Sequence, residues 1–397
     1  MKVNVIFVFI LLLTVTLESR GQNRTGNDGI ITVDVRKSYT AKKELILQDF
    51  MDVEYIKLET NDEFVNQGFV RTIGNKFILV TNNTGDGDIF VYDRTGKALR
   101  KINRRGQGGE EYTNIYTITL DEDNGEMFVS DNMTRKILVY DLYGKFKRSF
   151  KHRASNFNDG GINRTSFYTD VYNFDRDNLI CYDAVNEKVA FVLISKKDGS
   201  ITKEIITPFK EKKKFFITVS RDAATGNENV VTPGYYRAIT PHYGAWILSE
   251  FSTDTVYTFS QDYSLRPLIV RTPKIQSMKP EIFLLPRLMT KRYYFMETVK
   301  MELLPEGGFP RIFLMYDTQE KALSGYTLYN GDFTAKNEIY VNLASPVNHE
   351  IIAWYPLEAF KLVESYKKGE LKGKLKDIAA KLDEEDNRVI MLIKQKK

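Results

Sequence analysis

Val91-Tyr92-Asp93-Arg94-Thr95-Gly96-Lys97 returns 48 residues later as Val139-Tyr140-Asp141-Leu142-Tyr143-Gly144-Lys145. Just upstream, Phe77-Ile78-Leu79-Val80-Thr81-Asn82 is echoed by Met127-Phe128-Val129-Ser130-Asp131-Asn132, 50 residues on. Two matched segments in one order and at nearly one spacing mark an internal repeat. Both copies of the heptapeptide end an apolar, β-branched run with Asp and then Gly, the composition of a strand entering a tight turn. In the second unit the runs fall at 115–120, 126–130, 136–140 and 145–150, which makes four short strands. Asp121-Glu122-Asp123-Asn124-Gly125 closes the first hairpin. Its aspartates have no downstream bidentate Glu at calcium-loop spacing, so the segment reads as a plain turn.

Weaker copies follow. A third unit covers 179–183 and 189–195, and a fourth covers 245–249, 255–259 and 265–270. A fifth covers 293–300, 311–316 and 325–328, and a sixth begins at 338–343 and 350–354. Four-stranded units of this length predict an all-β fold, a six-bladed β-propeller. Such a ring closes without free edges when one blade mixes strands from both ends of the chain. The strands for that clasp are 53–58 and a closing strand at about 388–394. A small helical insertion is expected in the last blade, at about 356–382. There Pro356 precedes Leu357, Phe360, Val363 and Tyr366 at three-residue spacing, and Leu371, Leu375, Ile378, Ala379 and Leu382 continue the stripe.

The chain has 397 residues, which by length alone would be two or three domains. The repeat replaces that with one domain at 22–397, preceded by a signal peptide at 1–21. Met1-Lys2, an apolar run over 3–17, and small residues at Ser19 and Gly21 support that address. No cysteine near the cleavage region offers a lipid-anchor site, and no later run approaches membrane-spanning length. The mature protein is therefore expected to be exported: periplasmic, associated with the cell envelope, or secreted.

With 1 Cys and 3 His, the sequence excludes a disulfide scaffold, a zinc finger and a multi-histidine metal site. No cofactor and no metal are expected. The lone Cys181 sits in an apolar run and reads as a buried, inert thiol. A net charge of +5 without a basic cluster argues against nucleic acid.

Several motifs resemble a known family, the exported six-bladed β-propellers of Bacteroidetes, similar to the NHL-like and TolB-like propellers. They are Tyr55-Ile56-Lys57-Leu58-Glu59-Thr60, Gly106-Gln107-Gly108-Gly109-Glu110-Glu111-Tyr112, Ser252-Thr253-Asp254-Thr255-Val256-Tyr257 and Glu385-Asp386-Asn387-Arg388-Val389. The resemblance runs from about residue 30 to the end. It departs where the family often has Pro in place of Gly109 and Arg388, and in lacking the family's frequent anchor cysteine. It implies an exported propeller, and it names no ligand.

Two segments carry residues suited to binding. In Arg104-Arg105-Gly106-Gln107-Gly108-Gly109-Glu110-Glu111-Tyr112, glycines let backbone N–H groups approach an anion, and two arginines can clamp it. The candidates are Arg104, Arg105, Gln107, Glu111 and Tyr112. The other reading of this loop is an inter-blade crossover tied by Glu and Tyr. The second segment runs from Tyr235, Tyr236 and Arg237 through His242 and Tyr243 to Trp246, aromatics suited to a stacking platform at a channel mouth. Its other reading is packing around a long loop. No Gly-x-Ser-x-Gly elbow occurs, and no catalytic set can be assembled. The sequence thus points to a monomeric, non-catalytic module that binds an unknown ligand or envelope protein at the channel mouth. The alternative is a metal-assisted hydrolase or lyase with its site in the channel.

Overall fold

The repeated heptapeptide is a hairpin held by its own aspartate. Asp93 Oδ1 accepts from the backbone N–H groups of Thr95 and Lys97 at 2.8 and 3.0 Å. Asp141 Oδ1 does the same for Tyr143 and Lys145, both at 2.9 Å. Gly96 and Gly144 stand at φ +88° and +85°, where a side chain is strained. A Cβ on Gly96 would also lie 2.1 Å from the carbonyl oxygen of Lys57. Gly96→Ala is therefore expected to cost about 1–3 kcal/mol, seen as a lower urea midpoint with an unchanged slope.

The computed structural model describes residues 29–396, apart from 84, 154–155, 160–161 and 166. The segment read as a signal peptide lies outside the described residues. Six blades stand in a ring. Blade 1 is Phe69–Ile73, Phe77–Thr81, Asp88–Asp93 and Ala98–Asn103. Blade 2 is Thr117–Asp121, Glu126–Asp131, Lys136–Asp141 and Phe146–Lys151. Blade 3 is Asp170–Asn173, Asn178–Tyr182, Phe191–Ser195 and Ile201–Ile205. Blade 4 is Ile239–His242, Ala245–Leu248, Thr255–Ser260 and Leu265–Thr272. Blade 5 is Ile282–Met289, Tyr293–Lys300, Arg311–Asp317 and Ala322–Tyr329. Neighbouring strands within these blades are antiparallel, as tight hairpins require.

Blade 6 joins both ends of the chain. Ile351–Leu357 pairs with Val389–Gln395, which pairs in turn with Met51–Lys57 from near the start. Its innermost position is held by a single bridge, Ser345 to Trp354. The sequence placed a strand at 338–343; the structure has a 3₁₀ turn at Val341–Leu343 instead. The start of the chain does more than the sequence indicated. Ile31–Asp34 adds a parallel strand to the outer edge of blade 4, and Lys42–Ile46 adds one to blade 5. The segment thus covers two outer edges before it closes the ring, and covered edges cannot recruit other chains.

Alternate side chains of each central strand point into opposite inter-blade interfaces. In Lys136–Asp141, Leu138 and Tyr140 pack with Leu79 and Val91 of blade 1. Ile137 and Val139 pack with Leu179 and Cys181 of blade 3. Both faces of the strand are buried, so its sequence is apolar without alternation. Burial raises the Cys181 thiol well above its ordinary range, which keeps it protonated and unreactive. The aromatic excess goes to the same interfaces: Tyr92, Tyr112, Tyr140, Tyr168 and Tyr182 are all fully buried.

Helices Ala359–Lys367 and Gly373–Ala379 fill the gap between the last two strands. Ala359, Leu362 and Val363 face the core, whereas Phe360 and Tyr366 are 48% and 38% exposed. The apolar face is thus rotated from the three-residue stripe, because the helix starts after Pro356 and Leu357, which still belong to a strand.

His152 supplies a pH dependence. It is buried, its Nδ1 accepts the Tyr168 backbone N–H at 3.1 Å, and its Nε2 lies 3.1 Å from Ser130 Oγ. This pairing holds the neutral ring, and burial pushes its pKa down to about 4. The folded value lies below the unfolded one of about 6.5, so the contribution is complete above that pH. As pH falls from about 6.5 to about 4 the unfolded chain takes up a proton first, and roughly 3 kcal/mol of stability is lost. Urea titrations across that window are expected to show this loss, reduced in His152→Gln.

Candidate functional site

The first strand of each blade lies nearest the ring axis, and the first strands of blades 1, 2 and 3 pack against one another. Thr119 Oγ1 donates to Val171 O at 2.7 Å across two of them. These strands and segment 345–350 of blade 6 enclose a cavity of about 390 Å³. Trp246 and Trp354, the chain's 2 tryptophans, both line it. Trp246 packs near Tyr172, with ring centroids 5.6 Å apart, and meets His349 edge-on at 5.0 Å. Burial lowers the pKa of His349, which keeps the ring neutral.

Arg71 and Arg237 face the same cavity. Arg237 Nη1 lies 3.1 Å from Asp170 Oδ1. Asp170 is almost fully buried, and its second oxygen accepts the backbone N–H groups of Ala238 and Ile239 at 2.8 and 3.3 Å. Arg71 donates to Thr81 Oγ1 at 2.7 Å and to Tyr116 O at 3.2 Å. Both acceptors are neutral. Burial lowers the pKa of Arg71, and the nearby charge of Arg237 adds to that. On its other side Arg71 lines a second cavity of about 320 Å³, with Tyr116, Tyr235 and segment 113–116. It therefore stands at the waist between two chambers.

The chain matches the family model described as "Domain of unknown function (DUF4934)" over residues 30–394. The chain belongs to the DUF4934 family. Among solved structures, the DUF4934 chain is similar to a "Putative exported protein" from Bacteroides fragilis. The identity is 15%, the match covers 93% of this chain and 100% of that one, and the TM-score is 0.57. A member of the DUF4221 family from Bacteroides vulgatus matches at 12% identity, covering 88% of this chain and 99% of that one, with a TM-score of 0.47. At such identities the first likeness shows the propeller fold alone. No curated protein matches the chain in sequence.

In this DUF4934 chain the two segments singled out from sequence are placed differently. Loop 104–112 carries the chain from the last strand of blade 1 to the first strand of blade 2. Its Tyr112 is fully buried, donating to Gly87 O at 2.7 Å and accepting from the Arg104 N–H at 2.9 Å. Arg104 Nε donates to Gly144 O at 2.7 Å, binding the loop to the repeated turn of blade 2. Glu111 accepts from the Gly108 N–H at 2.8 Å, Arg105 bridges to Tyr112, and Gln107 is exposed.

In the second segment, Tyr235 is 62% exposed and lies 4.3 Å from the Arg237 guanidinium, the two side chains standing on either side of the waist. Tyr236 turns the other way, into a cluster with Phe215 and Phe251. His242 packs edge-on against Tyr243 and Tyr294, and burial pushes its pKa down to about 4. Tyr243 is hydrogen-bonded to Gln395 and lines a separate cleft with Lys394. The structure thus brings Tyr235, Arg237 and Trp246 to the channel and leaves the other eight outside its lining.

Arg71, Asp170, His349 and Trp354 were not singled out from sequence. Their shared signal is position, since each lies in or beside the innermost part of a blade. The repeat was read in blade 1 from residue 77 onward, so the strand carrying Arg71 had no assignment. Among the described residues no group of three His, Cys, Asp or Glu side chains stands close enough to share a metal ion.

Proposed function

We propose that this DUF4934 protein is an exported, non-catalytic binding module that takes its ligand in the central channel. One observation carries the reading. Asn173 Oδ1, Arg237 Nε, Trp246 Nε1 and His349 Nδ1 are buried polar atoms with no partner among the described residues, and all four residues line one cavity. Buried polar groups are ordinarily satisfied. Four exceptions around one aromatic-walled chamber fit a site built for an incoming molecule. Tyr235 and Arg237 belong to this site, and Arg104, Arg105, Gln107 and Glu111 would form a rim on the crossover leading to it. Tyr112, Tyr236 and His242 would support it by packing, and Tyr243 would sit at the opposite cleft.

Export rests on the signal-like reading of 1–21 and on the likeness to a chain described as an exported protein. No described helix is long and apolar enough to cross a membrane. The Asp-Gly hairpin echo supports an NHL-like class of blade.

The test is a screen of sugars, peptides and small acids on the purified full chain, read by tryptophan emission and melting temperature. A ligand present at about 100 times its Kd stabilises by about 2.7 kcal/mol, a shift of several degrees. The binding reading fails if no class moves either signal. A stoichiometric divalent ion in the metal-analysed protein, with turnover of a bound compound, would favour the hydrolase or lyase alternative.

A further inference from the structure

We propose that the channel ligand is an anionic sugar, carboxylated or sulfated, whose charged group is met by Arg71 at the waist. This rests on the channel being the binding site. The charges at the waist do not balance. Arg237 is neutralised by Asp170, whereas Arg71 has no carboxylate partner among the described residues and spends its bonds on a hydroxyl and a carbonyl.

The carboxylates nearer the two mouths are largely committed elsewhere. Glu122 accepts three backbone N–H groups, from Asn75, Lys76 and Phe77, at 2.7 to 3.0 Å. Asp86 accepts from Asn82 at 2.7 Å, and Asp88 accepts from Asn103 at 2.8 Å and lies 3.7 Å from Lys101. Glu350 lies 3.5 Å from Lys394, and Asp123 is exposed at the rim. A half-buried guanidinium beside a second one favours an anion, and its planar fork fits a carboxylate or a sulfate.

The remaining wall fits a hydroxyl-rich ring. Tyr172, Trp246 and Trp354 offer aromatic surface. Beside them, Asn173 Oδ1 offers an acceptor, Trp246 Nε1 a donor, and His349 Nδ1 a partner of either kind, set by its tautomer. Apolar surface with a few convergent polar atoms is the arrangement that holds a small polar molecule in one orientation.

The chain's 2 tryptophans both line this cavity, so intrinsic emission reports on it directly. The experiment titrates the full chain with glucuronate, galacturonate, glucose 6-sulfate, glucose and inorganic sulfate. Acidic sugars are expected to bind at least about tenfold tighter than glucose, the step that one charge-assisted hydrogen bond supplies. Glucuronate and galacturonate against glucose 6-sulfate distinguish a carboxylate from a sulfate ligand, and either preference supports the proposal. Arg71→Met is expected to bring acidic and neutral sugars to similar affinity. Arg71→Lys, which keeps the charge and the fold if the methionine variant does not fold, is expected to retain part of the preference.

Equal binding of glucose and the acidic sugars overturns the anionic inference and leaves the binding module standing. Inorganic sulfate as effective as any sugar overturns the sugar part. Silence from every probe here overturns the ligand class, while the binding reading itself falls only if the wider screen is also silent.

Discussion

A chain ending at Asn387 is expected to unfold without a cooperative transition. Strand Val389–Gln395 is the middle strand of blade 6, bonded to Ile351–Leu357 on one side and to Met51–Lys57 on the other. Its removal releases the N-terminal strand from the blade and leaves two open edges in the ring. It also withdraws Val389, Ile390, Met391, Leu392 and Ile393, each at most 2% exposed. At about 1.5–3 kcal/mol per buried side chain, the five contribute roughly 8–15 kcal/mol. That is comparable with the entire net stability of a typical protein, about 5–15 kcal/mol. Circular dichroism melts and limited proteolysis would check this, with the chain ending at Lys396 as the control. A sigmoidal melt from the chain ending at Asn387 would show that the ring does not depend on the clasp.

Lys196→Met is expected to cost about 3–5 kcal/mol, the penalty for removing one member of a buried ion pair. Lys196 and Asp121 are 5% and 1% exposed, and Lys196 Nζ lies 2.6 Å from Asp121 Oδ2. The ammonium also donates to the carbonyl oxygens of Asp175 and Arg176, at 2.6 and 3.2 Å, so one side chain joins blades 2 and 3. Without it, Asp121 keeps only Asn124 among the described residues, which reaches it through its backbone N–H and side-chain amide. The isolated carboxylate accounts for most of the expected cost, and this gives a second measurement. Asp121→Asn combined with Lys196→Met removes both charges and should be less destabilising than Lys196→Met alone. If the double variant is the weaker of the two by urea denaturation, the loss comes from packing instead of charge.

The same pair shows what sequence can and cannot tell. Asp121 was legible as a turn residue, because Asp followed three positions later by Asn-Gly has a local meaning. Its partner is 75 residues away in the next blade, and no local pattern carries that distance. The blades themselves were legible wherever the turn was tight: Asp93 and Asp141 bind backbone N–H groups two and four residues on, so the constraint lies within one short stretch. Blade 6 was legible only in part. Its innermost position is a single bridge, and Val341–Leu343 turns where a strand was expected. The first two outer strands, Ile31–Asp34 and Lys42–Ile46, were missed because they pair in parallel with distant strands and form no hairpin.

For the candidate site the division is sharper. Tyr235 and Arg237 were found through their aromatic and basic surroundings, and both reach the channel. Loop 104–112 looked equally suited to an anion by composition; in the structure it stands on the crossover between blades 1 and 2, outside the channel lining, with Tyr112 buried and Arg104 bonded to the neighbouring turn. Composition cannot separate a glycine-rich loop that cradles a ligand from one that crosses between blades, because both need a backbone free to turn closely.

By itself, the sequence determined the repeating strand-and-turn unit, the blade number and the joining of the two chain ends. Each follows from short-range periodicity and turn chemistry, which the backbone imposes within a few residues. Only the tertiary structure decided that Arg71, Arg237, both tryptophans and His349 share one channel, with Asp170 paired to Arg237 beside it. Together they come from four blades, and their nearness is a product of ring closure. A guanidinium with neutral partners and an aromatic ring with an unpaired N–H are ordinary in sequence. They acquire meaning only where the closing ring removes water from around them.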